Sequence, residues 1–164
     1  MTFYFEDFSV GRVFELGQCA VSEEEIVAFA TGYDPQPFHT DRVAAADSMF
    51  GGLIASGVHT MALYMRLFVE GVLGDSASRG SPGIDEMRWP APVRPGDTLR
   101  ARYTVASARK SRSRPEWGIV TGLASAENQE GVTVMTMSVI NLFTRRYAAE
   151  ADGKLASPGP VARL

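Results

Sequence analysis

The stretch from Ser56 to Val72 constrains this chain more than any other. Val58, Met61, Ala62, Leu63, Tyr64, Met65, Leu67, Phe68 and Val69 crowd into it. The spacing predicts a helix with apolar side chains spread nearly all round, so buried on most sides. At ~1.5 Å per residue it would run roughly 25 Å, enough to cross a small domain. No apolar run approaches the roughly 20 residues that span a bilayer. Other parts of the protein must therefore cover this helix.

The cover has to come from strands. Gly11 to Ala20 reads as one, with Val13, Phe14, Leu16 and Cys19 apolar. Ile84 to Val93, Thr98 to Ala108, Gly118 to Glu127 and Val132 to Arg146 read as four more, rich in Val, Thr, Ile and Tyr. Arg94-Pro95-Gly96-Asp97 carries proline and glycine where a type II turn wants them. Asn128 to Gly131 fits a hairpin turn. Short turns between consecutive strands predict antiparallel pairing. The expected fold class is α+β, a curved antiparallel sheet wrapped around a long central helix.

Between the first strand and the long helix lie shorter pieces. Ser22 and Glu25 form a capping-box pattern, and Ile26, Phe29 and Ala30 follow at helical spacing. Asp34 precedes Pro35, so that helix should stop near Tyr33. Asp34 to His39 reads as a rigid loop stiffened by Pro35 and Pro37. Thr40 is placed to cap a short helix to about Met49, which Gly51-Gly52 breaks. Gly74 to Pro82 reads as a loop. Residues 1–147 are expected to form a single domain, and 148–164, small, polar and Pro/Gly-bearing, a loose tail.

Charge and composition exclude several function classes. A formal net charge of −3 with 45% hydrophobic residues fits neither an unfolded tail nor a large nucleic-acid surface. The start Met1-Thr2-Phe3-Tyr4 has no basic segment and no apolar run behind it, so no secretory leader is expected. A cytoplasmic protein that binds neither nucleic acid nor membrane is the expectation. One cysteine, Cys19, and two histidines, His39 and His59, leave little for a metal site. GxSxG, Walker, GxGxxG and HExxH patterns are absent.

The remaining chemistry gathers in two places. A loop histidine held between prolines has the fixed position that acid–base work needs, and Asp34 stands five residues before His39. Asp34 follows a helix C-terminus, whose dipole disfavours a carboxylate and should raise its pKa. The second place is Gly51 to Thr60, where glycines lead into the long helix. The helix start offers unpaired N–H groups for an oxyanion, and Gly57 would let a carbonyl approach the backbone. His59, inside the helix, reads as a hydrogen-bonded structural residue. On spacing alone, a turn-forming Asp34 and a surface His39 remain open.

These residues resemble a known family. Tyr33-Asp34-Pro35-Gln36-Pro37-Phe38-His39-Thr40-Asp41, then Phe50-Gly51-Gly52-Leu53-Ile54-Ala55-Ser56-Gly57, resemble the hydratase motif of the MaoC-like dehydratases, the (R)-specific enoyl-CoA hydratases of the hot-dog fold. Val93 to Leu99 and Arg112-Ser113-Arg114-Pro115 also match, so the resemblance runs from about Phe8 to Arg146. It implies Asp34 and His39 as the catalytic pair and the Gly57 N–H as oxyanion donor. It implies an acyl-CoA substrate, no metal or separate cofactor, and at least a homodimer. Tyr33 replaces the usual glycine and Gln36 the usual asparagine, which bears on the pocket more than the chemistry.

Substrate contacts are expected from Gln36, Ser56, Met61 and Met65. Only two lysines occur, Lys110 and Lys154, against fourteen arginines, and Arg109, Lys110, Arg112 and Arg114 cluster. Guanidinium forks suit phosphate oxygens, so Arg112 and Arg114 are expected to hold the CoA nucleotide beside the site, with a solvated loop as the alternative. A hot-dog thioesterase and a non-catalytic acyl-thioester-binding module are the rival functions.

Overall fold

The structure, a computed structural model, describes residues 2–148. The expected tail therefore lies outside the described residues except for Ala148, which is buried.

The chain folds as β1 (Val13–Ala20), α1 (Glu23–Tyr33), α2 (Pro37–Thr40), α3 (Arg42–Ala46), α4 (Gly57–Phe68), β2 (Gly83–Arg88), β3 (Thr98–Lys110), β4 (Trp117–Glu127) and β5 (Thr133–Thr144). The strands form one antiparallel sheet in the order β1-β3-β4-β5-β2. Consecutive β3, β4 and β5 pair as expected. β2 crosses to the far edge and pairs with β5, which strand spacing along the chain does not reveal.

The helix that had to be covered lies against this sheet. Along α4 burial repeats every four residues: His59, Thr60, Leu63, Tyr64, Leu67 and Phe68 are buried, while Val58, Ala62 and Arg66 form an exposed stripe. It is thus less enclosed than its apolar composition predicts. A π turn, Val69–Leu73, ends it and buries Val72. Phe68 stacks on Tyr103 of β3 at 4.6 Å between centroids, and the Tyr64 hydroxyl donates to the Arg102 carbonyl at 3.3 Å.

Local signals set the boundaries. The Ser22 hydroxyl accepts from the Glu25 N–H, and the Glu25 carboxylate accepts from the Ser22 N–H, both at 3.1 Å. Gly96 has φ 89° and the Asp97 N–H donates to the Arg94 carbonyl at 3.1 Å, as a type II turn requires. The Asp97 carboxylate accepts from the Arg94 N–H and from Gln129 Nε2, tying this turn to the β4–β5 hairpin. Several boundaries differ from expectation. Asp41, not Thr40, caps α3, accepting from the Val43 and Ala44 N–H groups, and α3 ends at Ala46. β2 stops at Arg88, because Pro90 and Pro92 lack ladder donors. β3 continues to Lys110, taking Arg109 and Lys110 into the strand.

The sheet has two distinct ends. Thr98, Glu127, Thr133 and Arg88 lie at one; Lys110, Trp117, Thr144 and Gly83 lie at the other. Gly122 of β4 lets the fully buried Tyr103 ring rest on its backbone, since any Cβ there would overlap the ring. Gly122→Ala should therefore cost about 1–3 kcal/mol, the usual price of overpacking, in urea denaturation. Wild-type stability would show that the Tyr103 ring rearranges freely.

Candidate active site

The site is built at the Thr98 end, where three chain segments meet the start of α4. The Phe38 carbonyl accepts from the Ile54 N–H at 3.2 Å, and the Val93 carbonyl from the Ala55 N–H at 2.8 Å. These bonds fix the segment before α4 between α2 and the strand connection. His39 sits inside α2, a single turn begun by Pro37, rather than in an open loop. Proline at the first helical position has its φ set in advance.

Asp34 closes α1, its N–H donating to the Ala30 carbonyl at 2.9 Å. Its carboxylate accepts from the Ser56 hydroxyl at 2.6 Å (Oδ2) and from Gln36 Nε2 at 2.8 Å (Oδ1). Those two bonds, Ser56 first, hold its pKa below the usual carboxylate range. The α1 dipole alone would raise it, the direction expected from sequence; direct hydrogen bonds outweigh a dipole end because they act on the charged oxygens themselves.

His39 is buried, with 4% exposed. Its Nδ1 lies 2.8 Å from the Ile54 carbonyl. A carbonyl only accepts, so Nδ1 carries hydrogen and, in the neutral ring, Nε2 keeps its lone pair. That Nε2 lies 3.4 Å from Asp34 Oδ2. The site thus presents two proton acceptors side by side.

Ser56 also caps α4, its hydroxyl accepting from the Val58 N–H at 3.2 Å. The next residue, Gly57, donates its N–H to no protein group among the described residues. A free N–H at a helix start, one residue from the Asp34 contact, suits an oxyanion. A Cβ on Gly57 would meet the Trp89 ring at 2.7 Å. The glycine is therefore also required by Trp89, a neighbour sequence reasoning missed because Trp89 read as one more strand residue.

The structure brings Asp34, Gln36, His39, Ser56 and Gly57 together. Gln36 and Ser56 are engaged with Asp34, so they position it. Met61 and Met65 follow Gly57 by four and eight residues on the same side of α4, partly buried against the core. Arg112 and Arg114 are not beside this site in the same chain. They lie in the β3–β4 turn, beyond Lys110, at the opposite end of the sheet. A rise of ~3.3 Å per residue makes β3 roughly 40 Å long, too far for a loop beside the pocket. His59, read as hydrogen-bonded, instead stacks on Phe29 at 4.6 Å and leaves Nδ1 buried without a partner. Burial holds its pKa below the usual histidine value. Among the described residues, no three His, Cys, Asp or Glu side chains cluster as metal ligands would. Among them, no helix is long and apolar enough to cross a membrane.

With that geometry in view, comparison with known proteins places the chain. Residues 7–128 match the family model described as MaoC like domain. The chain belongs to this family, and its sheet around a central helix is the hot-dog fold. It is 37% identical over 142 residues to a Bacillus subtilis protein described as uncharacterized protein YdeM, covering 85% of this chain and 98% of that one. A crystal structure of a MaoC-like dehydratase from Rhodospirillum rubrum superposes with a TM-score of 0.78 at 41% identity, covering 88% of this chain and 98% of that one. A Rhodospirillum rubrum protein named (R)-specific enoyl-CoA hydratase is 33% identical over 107 residues, 62% of this chain and 69% of that one.

The Ser56 hydroxyl favours the charged form of Asp34. Removing it in Ser56→Ala should move the Asp34 pKa up, toward or past the ordinary value of about 3.9. Carboxyl-carbon NMR titration reads this directly. An unmoved Asp34 would show that Gln36 alone holds the carboxylate.

Proposed function

We propose that this protein adds water reversibly to the double bond of a 2-enoyl-CoA thioester, giving a 3-hydroxyacyl-CoA. The observation that carries the reading is the pair of acceptors, Asp34 Oδ2 and His39 Nε2, 3.4 Å apart, with Asp34 bonded to Ser56, the residue before the free Gly57 N–H. A water donates one hydrogen to each acceptor and turns a lone pair outward to the β-carbon. As the C–O bond forms, His39 takes the proton of the water. Charge gathers on the thioester oxygen, where the Gly57 N–H donates to it. The proton is returned to the α-carbon, so H and OH have added across the double bond. The reaction balances without a metal or a redox cofactor. The likeness to the relative named (R)-specific enoyl-CoA hydratase supports the same chemistry.

Asp34→Asn and His39→Ala should each lower kcat by about 10²–10⁴ in folded protein, the usual worth of a positioned acid–base group. The assay follows enone absorbance and free thiol together on an enoyl-CoA. Enone loss without thiol release marks hydration. Thiol release would make this a thioesterase, and binding without turnover a non-catalytic module.

The active unit in this proposal is a homodimer. β2 is an edge strand, most of its residues exposed, and such an edge invites another strand. Antiparallel pairing of two β2 edges about a two-fold axis reverses one sheet relative to the other. The far end of the second copy then lies beside the catalytic end of the first. In that arrangement the partner's Arg112 and Arg114 come to the end they cannot reach within one chain, and meet the CoA phosphates. Light scattering at micromolar concentration should give at least a dimer mass. Arg112→Ala and Arg114→Ala should raise KM for CoA thioesters and leave pantetheine thioesters unaffected. A monomer mass, or equal KM changes for both substrates, would remove this part of the reading.

A further inference from the structure

Trp89 has no part in the chemistry above, yet it lies against the start of α4. The bond fusing its two rings sits over Gly57: a Cβ there would be 2.7 Å from Cε2, 2.9 Å from Cδ2 and 3.0 Å from Cζ2. Contact with three atoms around one ring junction means that the indole presents its face, not its edge. The residue nonetheless remains 47% exposed, far more than a core tryptophan. One face is therefore spent on Gly57 and much of the rest is open.

The position is held from both sides. Trp89 precedes Pro90, which restricts its backbone to extended conformations. Four residues on, the Val93 carbonyl accepts from the Ala55 N–H at 2.8 Å, fastening this segment to the approach to α4. The backbone that carries the indole is thus held on both sides of Pro90.

Its distance from the free N–H decides what it can touch. The N–Cα bond is about 1.46 Å and an accepting oxygen stands about 2.9 Å from the nitrogen. An oxygen bound to the Gly57 N–H is therefore within about 4.4 Å of the Cα that the ring covers. Groups bonded to the same carbonyl carbon are then held close to the Gly57 Cα, over which the indole lies.

We propose that Trp89 is a specificity-determining residue: its indole is a wall of the thioester site and limits the bulk carried on the α- and β-carbons of the acyl group. The assignment rests on the oxyanion role given to Gly57 above. Small, unbranched acyl groups pass beside the ring. A substituent on the α-carbon collides with it.

Two measurements test this, one independent of turnover. The chain has two tryptophans, so Trp117→Phe leaves Trp89 as the sole indole emitter. Saturated butyryl-CoA and butyryl-pantetheine should both shift that emission saturably, because the contact is with the thioester end. In the second, Trp89→Ala, with folding checked by circular dichroism, should raise kcat/KM for 2-methylcrotonyl-CoA relative to crotonyl-CoA by about tenfold or more, the worth of a methyl group against a pocket wall. Trp89→Phe should keep the wild-type preference. An unchanged substrate ratio in folded Trp89→Ala overturns the assignment while leaving hydration intact. A Trp89 response to both butyryl thioesters without turnover of any enoyl thioester supports the wall and overturns hydration. Silence of Trp89 while calorimetry shows butyryl-CoA bound overturns the wall. Neither binding nor turnover overturns both.

Discussion

Everything in this fold answers to the burial of α4. Two of every four residues along it are buried, and the Tyr64 and Phe68 side chains are almost wholly enclosed. One flat layer cannot enclose a helix to that degree. The sheet curves instead, and small residues such as Gly122 let large rings from the next strand lie on its backbone. Dense packing of this kind holds the helix against the sheet, with Leu63, Leu67 and Phe68 in one core with Phe14 and Leu16 of β1 and Tyr103 of β3. A fixed helix has a fixed N-terminus, and the candidate chemistry is assembled there.

Ser56 joins packing to chemistry. Its single hydroxyl accepts from the Val58 N–H and donates to Asp34. The hydroxyl of serine can do both at once, having one donor and two acceptor positions. The start of the helix and the orientation of the carboxylate are thus one arrangement. Backbone bonds from Phe38 and Val93 then hold the approach to the helix on either side. His39 owes its tautomer to the same segment, through the Ile54 carbonyl.

What the sequence reveals divides along physical lines. Contacts between near neighbours are legible: the Ser22–Glu25 box, the Arg94–Asp97 turn and the glycine of the Asn128–Gly131 hairpin all carry local conformational demands. The apolar run at Ser56–Val72 announces a helix that must be covered. The spacing of Asp34 and His39 leaves their pairing open; the resemblance to the MaoC-like dehydratases is what implies it. Long-range choices were not legible. Nothing near β2 says that it joins β5 rather than β3, since that depends on which edge is left open. The arginine cluster looked close to the site because a turn carries no record of the strand length before it. Trp89 went unnoticed for a related reason: its neighbour, Gly57, lies 32 positions earlier in the chain.

The direction of the Asp34 shift separates the two acceptors. A carboxylate held by two hydrogen bonds is a weaker base than a free one, since both bonds would be weakened by protonation. That would handicap a residue whose task was to take a proton. It suits a residue whose task is to stay charged and accept one hydrogen of a water without removing it. His39 is built the other way. Only its Nδ1–H is engaged, and Nε2 faces the carboxylate with its lone pair free. The Nε2 that carries the proton during the proposed reaction lies 3.4 Å from Asp34 Oδ2. The two groups are close enough to share one water, yet their hydrogen bonds give them different work. In the proposed reaction Asp34 orients the water and steadies the charge, and His39 carries the proton.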